Sequence, residues 1–154
     1  MAAEEGKKAP AFTLPGDDGE KHRLKDHEGQ RVVVYFYPKD NTPGCTTEAC
    51  DFRDNMERIT SAGAVVYGIS KDSLASHDKF RDKHDLNFVL LSDEKLVAHE
   101  KYGAWGEKKM YGKVREGVIR STFVIDEKGK VAKAWRNVRA KGHVDKVIAF
   151  LEEM

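Results

Sequence analysis

Long hydrophobic runs are missing from this sequence. Its most continuous apolar stretches, VVVYFY at 32–37 and AVVYGI at 64–69, fall far short of the roughly 18 residues that a membrane-spanning helix needs. The opening stretch, MAAEEGKKAPAF, places acidic residues early and has no apolar h-region, so no secretory signal is read there. A cytoplasmic, reducing compartment is therefore expected, where a structural disulfide would not persist. Neither sign of charge is in excess: the formal net charge is +1, which leaves no footprint for nucleic acid or an anionic membrane surface. The densest basic runs, EKKMYGK and WRNVRAK, are short and read as solvated surface. Repeats, low-complexity tracts and linkers are absent as well. One domain over 1–154 is expected, long enough to bury roughly 70% of its unfolded surface.

Cysteine is scarce too. The chain has 2, both inside PKDNTPGCTTEACDFRD, at Cys45 and Cys50. The spacing is not the Cys-x-x-Cys of a dithiol pair or a zinc knuckle. Two thiolates would need His or carboxylate help to hold a metal, and the nearest histidines in sequence, His27 and His77, are well separated from the pair. Redox chemistry is the stronger reading. No metal and no other cofactor is expected.

The rest of the pattern alternates strands with helices. AFTLPGDDGEKHRL reads as two short strands around an Asp-Asp-Gly turn, and RVVVYFYP as a buried strand ended by Pro38. After Cys45, Phe52, Met56 and Ile59 recur at helical spacing until Gly63. AVVYGIS and FVLLSD are further strands; SLASHDKFRDKHD and EKLVAHEKYG are helices, the second closing at Gly103. A glycine- and lysine-rich loop is expected over 103–119, then a hairpin of RSTFVID and VAKAWR, then the amphipathic helix HVDKVIAFLEEM. This order gives an α/β layered sheet compatible with an elaborated thioredoxin-like fold carrying an added N-terminal β-hairpin.

Cys45 stands where a strand, a loop and the first turn of a helix meet. Unpaired N–H groups and the helix dipole favour an anion there, and the thiolate is the nucleophilic form. The helix alone is too weak. Lowering a thiol pKa from about 8.5 to about 6 takes roughly 3.4 kcal/mol, whereas a helix terminus supplies about 0.3–1 kcal/mol and at best about 2. A cation from elsewhere in the fold is required.

The segment YPKDNTPGCTTEAC resembles the active-site segment of the peroxiredoxins, whose motif Pro-x-x-x-Thr-x-x-Cys is filled here by Pro38, Thr42 and Cys45. Cys50 and the distal stretch YGAWGEKKMYGKVREGVIRSTFVID make the chain similar to the bacterioferritin comigratory protein, or peroxiredoxin Q, subgroup. The resemblance implies a thiol peroxidase acting on hydrogen peroxide and alkyl hydroperoxides. It implies Cys45 as the peroxidatic thiol, Cys50 as the resolving thiol in an intrachain disulfide, and regeneration by thioredoxin or a similar dithiol. It also supplies the missing cation: Arg120, at the start of RSTFVID, packs near the thiolate. Arg120, the Thr42 hydroxyl and the Cys45 N–H would stabilise charge on the departing oxygen. Pro38 is implied to shield the thiolate from water, and Glu48 to orient Arg120 through a salt bridge. A monomer, or at most a weak dimer, is expected.

Two other classes share these residues. A copper chaperone on the same fold would use both cysteines and a distant His, with His143 as its candidate, but it expects Cys-x-x-x-Cys and export. A non-enzymatic thiol holdase would leave peroxide consumption indifferent to Cys45. Trp105, Trp135 and all six histidines read as packing or surface groups; His77 and His84 are too far apart along their helix to chelate one ion directly.

Overall fold

The computed structural model describes residues 3–110 and 112–154. Met1 and Ala2 of the N-terminal stretch, and Tyr111 of the segment read as a loop, lie outside the described residues. Strands β1 (Thr13–Pro15) and β2 (Lys21–Arg23) form the N-terminal hairpin. A 3-10 turn at Leu24–His27 leads into β3 (Arg31–Phe36), followed by helices α1 (Pro43–Asp54) and α2 (Met56–Ser61). Then come β4 (Ala64–Ser70), α3 (Leu74–His84), β5 (Val89–Ser92) and α4 (Val97–Tyr102). Strands β6 (Trp105–Met110), β7 (Lys113–Val118), β8 (Ser121–Ile125) and β9 (Val131–Trp135) precede the last helix, α5 (His143–Glu153).

The central sheet runs β5-β4-β3-β8-β9, parallel from β3 to β5 and antiparallel at β8 and β9. This is the expected α/β, thioredoxin-like arrangement. β3 reads as an unbroken apolar run because both of its faces are covered. Val33 and Tyr35 pack with Phe52, Ile59, Phe80 and the apolar face of α5, while Val32, Val34 and Phe36 pack with Phe12, Ala98 and Tyr102. Tyr35 lies so close over Gly68 that a Cβ there would meet its ring at 2.9 Å, so β4 needs a glycine at that point.

Two local expectations are corrected. The single helix from Cys45 to Gly63 is two helices, and the first starts earlier. Thr42 is the N-cap and Pro43 occupies the first turn, where its missing N–H costs nothing. The break falls at Asn55, whose φ of −112° and ψ of 13° leave the helical region and whose Nδ2 donates to the Asp51 carbonyl at 2.8 Å. The loop expected over 103–119 holds a second hairpin, β6–β7, in register from Trp105↔Val118 to Met110↔Lys113. Its base packs on the core through Val118 and Trp105, while Val114 farther out is 61% exposed. A ribbon wet on both faces shows none of the alternation that marks a half-buried strand. On α3, His77 and Phe80 are buried while Leu74 is exposed.

Register places the candidate residues. Phe36 at the end of β3 pairs with Ser121 at the start of β8, so the turn into α1 and the residue before Ser121 meet at one sheet edge. That edge is the carboxyl end of the parallel strands, where open α/β sheets bind their ligands.

Candidate active site

Cys45 is the third residue of α1, one turn inside the N-cap. The helix ladder opens with Thr46 N–H donating to the Thr42 carbonyl at 2.8 Å, which leaves the N–H groups of Gly44 and Cys45 ahead of it. The Cys45 side chain is buried. Arg120 Nη2 donates to its Sγ at 3.3 Å, and Nη1 donates to Glu48 Oε1 at 2.6 Å. One guanidinium thus bridges the thiol and a carboxylate one turn farther along the same helix. Gly44 lies against the same guanidinium, with the position a Cβ would take 3.4 Å from Arg120 Nη2, an ordinary contact distance.

The electrostatics follow from burial. Burial lowers the affinity of Arg120 for its proton, but the Glu48 and Cys45 charges outweigh it and the pKa is raised, so the arginine stays a cation. Glu48 behaves otherwise. Burial costs its carboxylate more than Arg120 returns, and its pKa is pushed up to about 7. Glu48 Oε2 and the Tyr35 hydroxyl are both buried with no hydrogen-bond partner. Tyr35 is held neutral chiefly by burial, then by the charges of Glu48 and Cys45.

Thr42 caps α1 by position, yet its side chain accepts no cap bond; Oγ1 donates instead to the Lys39 carbonyl at 2.9 Å. Pro38 is half-buried in the turn after β3. Cys50 is half-buried and free, on the unbroken helix that carries Cys45. Pro38, Thr42, Cys45, Glu48, Cys50 and Arg120 therefore all fall on the β3–α1 connection, on α1 itself or at the start of β8. His143 does not join them. It is buried and shares a hydrogen bond of 2.8 Å with Thr122 Oγ1, and burial pulls its pKa down to about 4. Neither group of metal-capable side chains among the described residues includes a cysteine.

Sequence reasoning missed Lys108. Read as part of a solvated basic run, it is half-buried on β6. Burial pulls its pKa down, Arg120 adds to that, and Cys45 opposes it, so a second cation faces the site. Only the β6–β7 pairing, hidden in the sequence, brings it there. A cavity of about 500 Å³ lies beneath that hairpin, lined by Lys108, Ile119 and Asn137 among others. The larger groove, of about 970 Å³ beside Arg31, Arg58 and Glu152, sits at the opposite end of β3 and plays no part here.

A buried thiol at a helix N-terminus, bridged by arginine to a carboxylate on the same helix at the edge of a thioredoxin-like sheet, is suited to thiol-dependent peroxide reduction. The AhpC/TSA family profile matches residues 6–134, and the chain belongs to that family. It is 48% identical to peroxiredoxin Bcp of Bacillus subtilis, over 100% of this chain and 98% of that one. It is 47% identical to peroxiredoxin Bcp of Escherichia coli K12, covering 94% and 93%. Among solved structures, the bacterioferritin comigratory protein of Xanthomonas campestris, described with a trapped intermediate of alkyl peroxide reduction, superposes with a TM-score of 0.91 at 40% identity, covering 97% and 98%. Peroxiredoxin Q of Xylella fastidiosa, solved as a cysteine-to-serine mutant, gives a TM-score of 0.92 at 33% identity over 99% and 98%. The chain is a peroxidase whose substrate class is peroxide and whose reductant is a thiol.

Proposed function

We propose that Cys45 is the peroxidatic thiol and Cys50 the thiol that resolves it, within one domain spanning 1–154. The observation that carries this is the 3.3 Å contact between Arg120 Nη2 and Cys45 Sγ at the N-terminus of α1. It supplies the cation that the helix dipole alone could not replace. In the first step the Cys45 thiolate attacks one peroxide oxygen. An S–O bond forms, the O–O bond breaks, and the departing oxygen leaves as water or an alcohol after taking a proton. Arg120 and the free N–H of Cys45 face the charge that develops there. The Thr42 hydroxyl, expected to face the departing oxygen's charge, directs its one proton to the Lys39 carbonyl, so it offers the peroxide an acceptor instead. Pro38 covers the turn beside the thiolate, and Glu48 sets the angle of Arg120.

In the second step the Cys50 thiol displaces water from the sulfenic acid, giving a disulfide. A dithiol of the thioredoxin type then takes up the oxidation and restores both thiols. The protein works as a cytoplasmic monomer on hydrogen peroxide and alkyl hydroperoxides. No helix among the described residues is long and apolar enough to cross a membrane. The test is peroxide-dependent NADPH oxidation with thioredoxin and thioredoxin reductase. Turnover with wild type and none with Cys45→Ser supports the reading; equal turnover by the two refutes it.

A further inference from the structure

Away from the Arg120 contact, a second set of buried polar groups holds the turn between β3 and α1, and the reaction steps above make no use of it. Asp40 is its centre, with a side chain only 2% exposed. Tyr37 Oη donates to Asp40 Oδ1 at 2.5 Å, and Ser76 Oγ donates to Oδ2 at 2.8 Å. His77 Nδ1 lies 2.7 Å from the same Oδ2, and the main-chain N–H of Asp40 donates to Asp72 Oδ2 at 2.8 Å. The other ring nitrogen of His77, Nε2, lies 2.9 Å from the Leu91 carbonyl oxygen.

Beside an ionised Asp40 carboxylate, those two ring contacts set the charge state of His77. A carboxylate and a carbonyl are both acceptors, and a neutral imidazole has one N–H to give. With acceptors on both nitrogens, His77 is satisfied only as the doubly protonated imidazolium. The groups facing it agree: Asp40 from the turn, Asp72 from the β4–α3 connection, and Asp17 from the N-terminal hairpin, with Tyr37 neutral beside it. Burial works against the charge, yet the Asp40 hydrogen bond and charge prevail and the His77 pKa is raised.

We propose that Asp40 and His77 are positioning residues for the peroxide site, a buried ion pair that holds residues 38–42 in the shape from which Thr42 and Cys45 are presented. A continuous hydrogen-bonded path supports this. His77 on α3 holds Asp40; the Lys39 carbonyl next to Asp40 holds the Thr42 hydroxyl; and the Thr42 carbonyl receives the first N–H of the α1 ladder, from Thr46. Between these anchors Asn41 sits at φ +62°, a left-handed conformation that asparagine adopts more readily than other residues with a side chain. Lys83 Nζ donates to Asn41 Oδ1 at 3.1 Å, a second tie from α3 to the same turn. Without the Asp40–His77 pair, the turn is free to relax, and Thr42 and the head of α1 shift with it.

This inference rests on Cys45 being the peroxidatic residue, and its test separates the two ideas. The first arm uses the wild-type protein, with nitrogen NMR of the histidine rings at about pH 7.5. An unperturbed imidazole is mostly neutral there. Protons on both nitrogens of His77 are expected. A neutral ring, or an Nδ1 occupied by a metal that elemental analysis detects, overturns the pair.

The second arm is His77→Gln. It should lower kcat/KM for hydrogen peroxide by at least about tenfold, because small displacements of reacting groups are costly. It should also raise the pH at which Cys45 alkylates. A folded His77→Gln protein within twofold of wild type in both measurements refutes the positioning role, while Cys45→Ser inactivity would leave the peroxidatic reading standing. If His77→Gln does not fold, Asp40→Asn decides, since it keeps the shape of the side chain and removes the negative charge of the pair. The same reduction in kcat/KM is expected, and an unchanged value refutes the proposal.

Discussion

Two consecutive segments of the site are built for opposite purposes. Residues 37–42 are tied into the fold by buried side chains and by hydrogen bonds to α3 and to the β4–α3 connection. The first turns of α1, residues 43–50, begin with Pro43 and Gly44, and their deepest polar group, Glu48, has one carboxylate oxygen unpartnered. The turn is over-determined. The helix head is under-satisfied, and a group buried without its full set of partners is where a fold opens at least cost.

The second thiol requires that opening. Residues five apart on an α-helix stand about 8.7 Å apart at Cα and about 140° apart in rotation. A disulfide needs Cα atoms within about 7 Å and converging Cβ atoms. Cys45 and Cys50 both lie within unbroken α1, so they cannot bond while it is intact. The stiff turn keeps peroxide chemistry in place while the soft helix head lets the product be resolved.

The largest effect expected falls on the chemistry itself. Cys45→Ser should reduce peroxide consumption by at least about a thousandfold while the melting temperature stays near wild type, because a serine hydroxyl is not ionised at neutral pH. Activity close to wild type would remove Cys45 from the mechanism. Arg120→Ala comes next, with a loss of about a hundredfold in kcat/KM and a higher pH for half-alkylation of Cys45. An unchanged alkylation profile would hand the role to another cation, for which Lys108 is the candidate.

Glu48 makes the softness of the helix head depend on pH. Its pKa is about 7 in the fold, against 4.5 when freed to water. The folded helix thus binds this proton more tightly than the opened one. The stability it contributes is complete below pH 4.5 and is lost as pH rises through about 7. The shift corresponds to about 3 kcal/mol at most. Between about pH 5 and 8, protection factors for the amides of residues 46–50 in the reduced protein should fall by about fiftyfold, after correction for intrinsic exchange. Glu48→Gln should flatten that fall, whereas an equally steep profile in the variant would exonerate Glu48. The smallest change is expected from Cys50→Ser. Its first oxidation by peroxide should stay within about twofold of wild type, because Cys50 is not in contact with the reacting atoms. The cycle should then stall, and mass spectrometry should find Cys45 driven on to sulfinic acid.

The sequence carried some of this plainly and hid the rest for physical reasons. The fold was legible because β3, β4 and β5 are apolar runs separated by helical spacing, a local signal. Cys45, Thr42 and Pro38 were legible because they lie within eight residues of one another on one connection. Arg120 came from resemblance; the pairing of Phe36 with Ser121, which places it, is a long-range fact that no local pattern records. The Asn55 break was masked because Phe52, Met56 and Ile59 keep helical phase across it. Lys108 was masked because β6 and β7 are polar on both faces. The six histidines were grouped as packing or surface residues, and for His77 the core half of that reading is right. Its charge shows only when both acceptors around the ring are in view.

Hydrogen exchange on the reduced and disulfide forms, compared residue by residue across 37–54, tests the contrast between the two segments most directly. The account predicts that oxidation strips protection from the amides of 46–50 while those of 37 and 40 keep theirs. Equal protection of the α1 amides in both forms would mean that the helix never unwinds and that Cys50 is not the resolving partner.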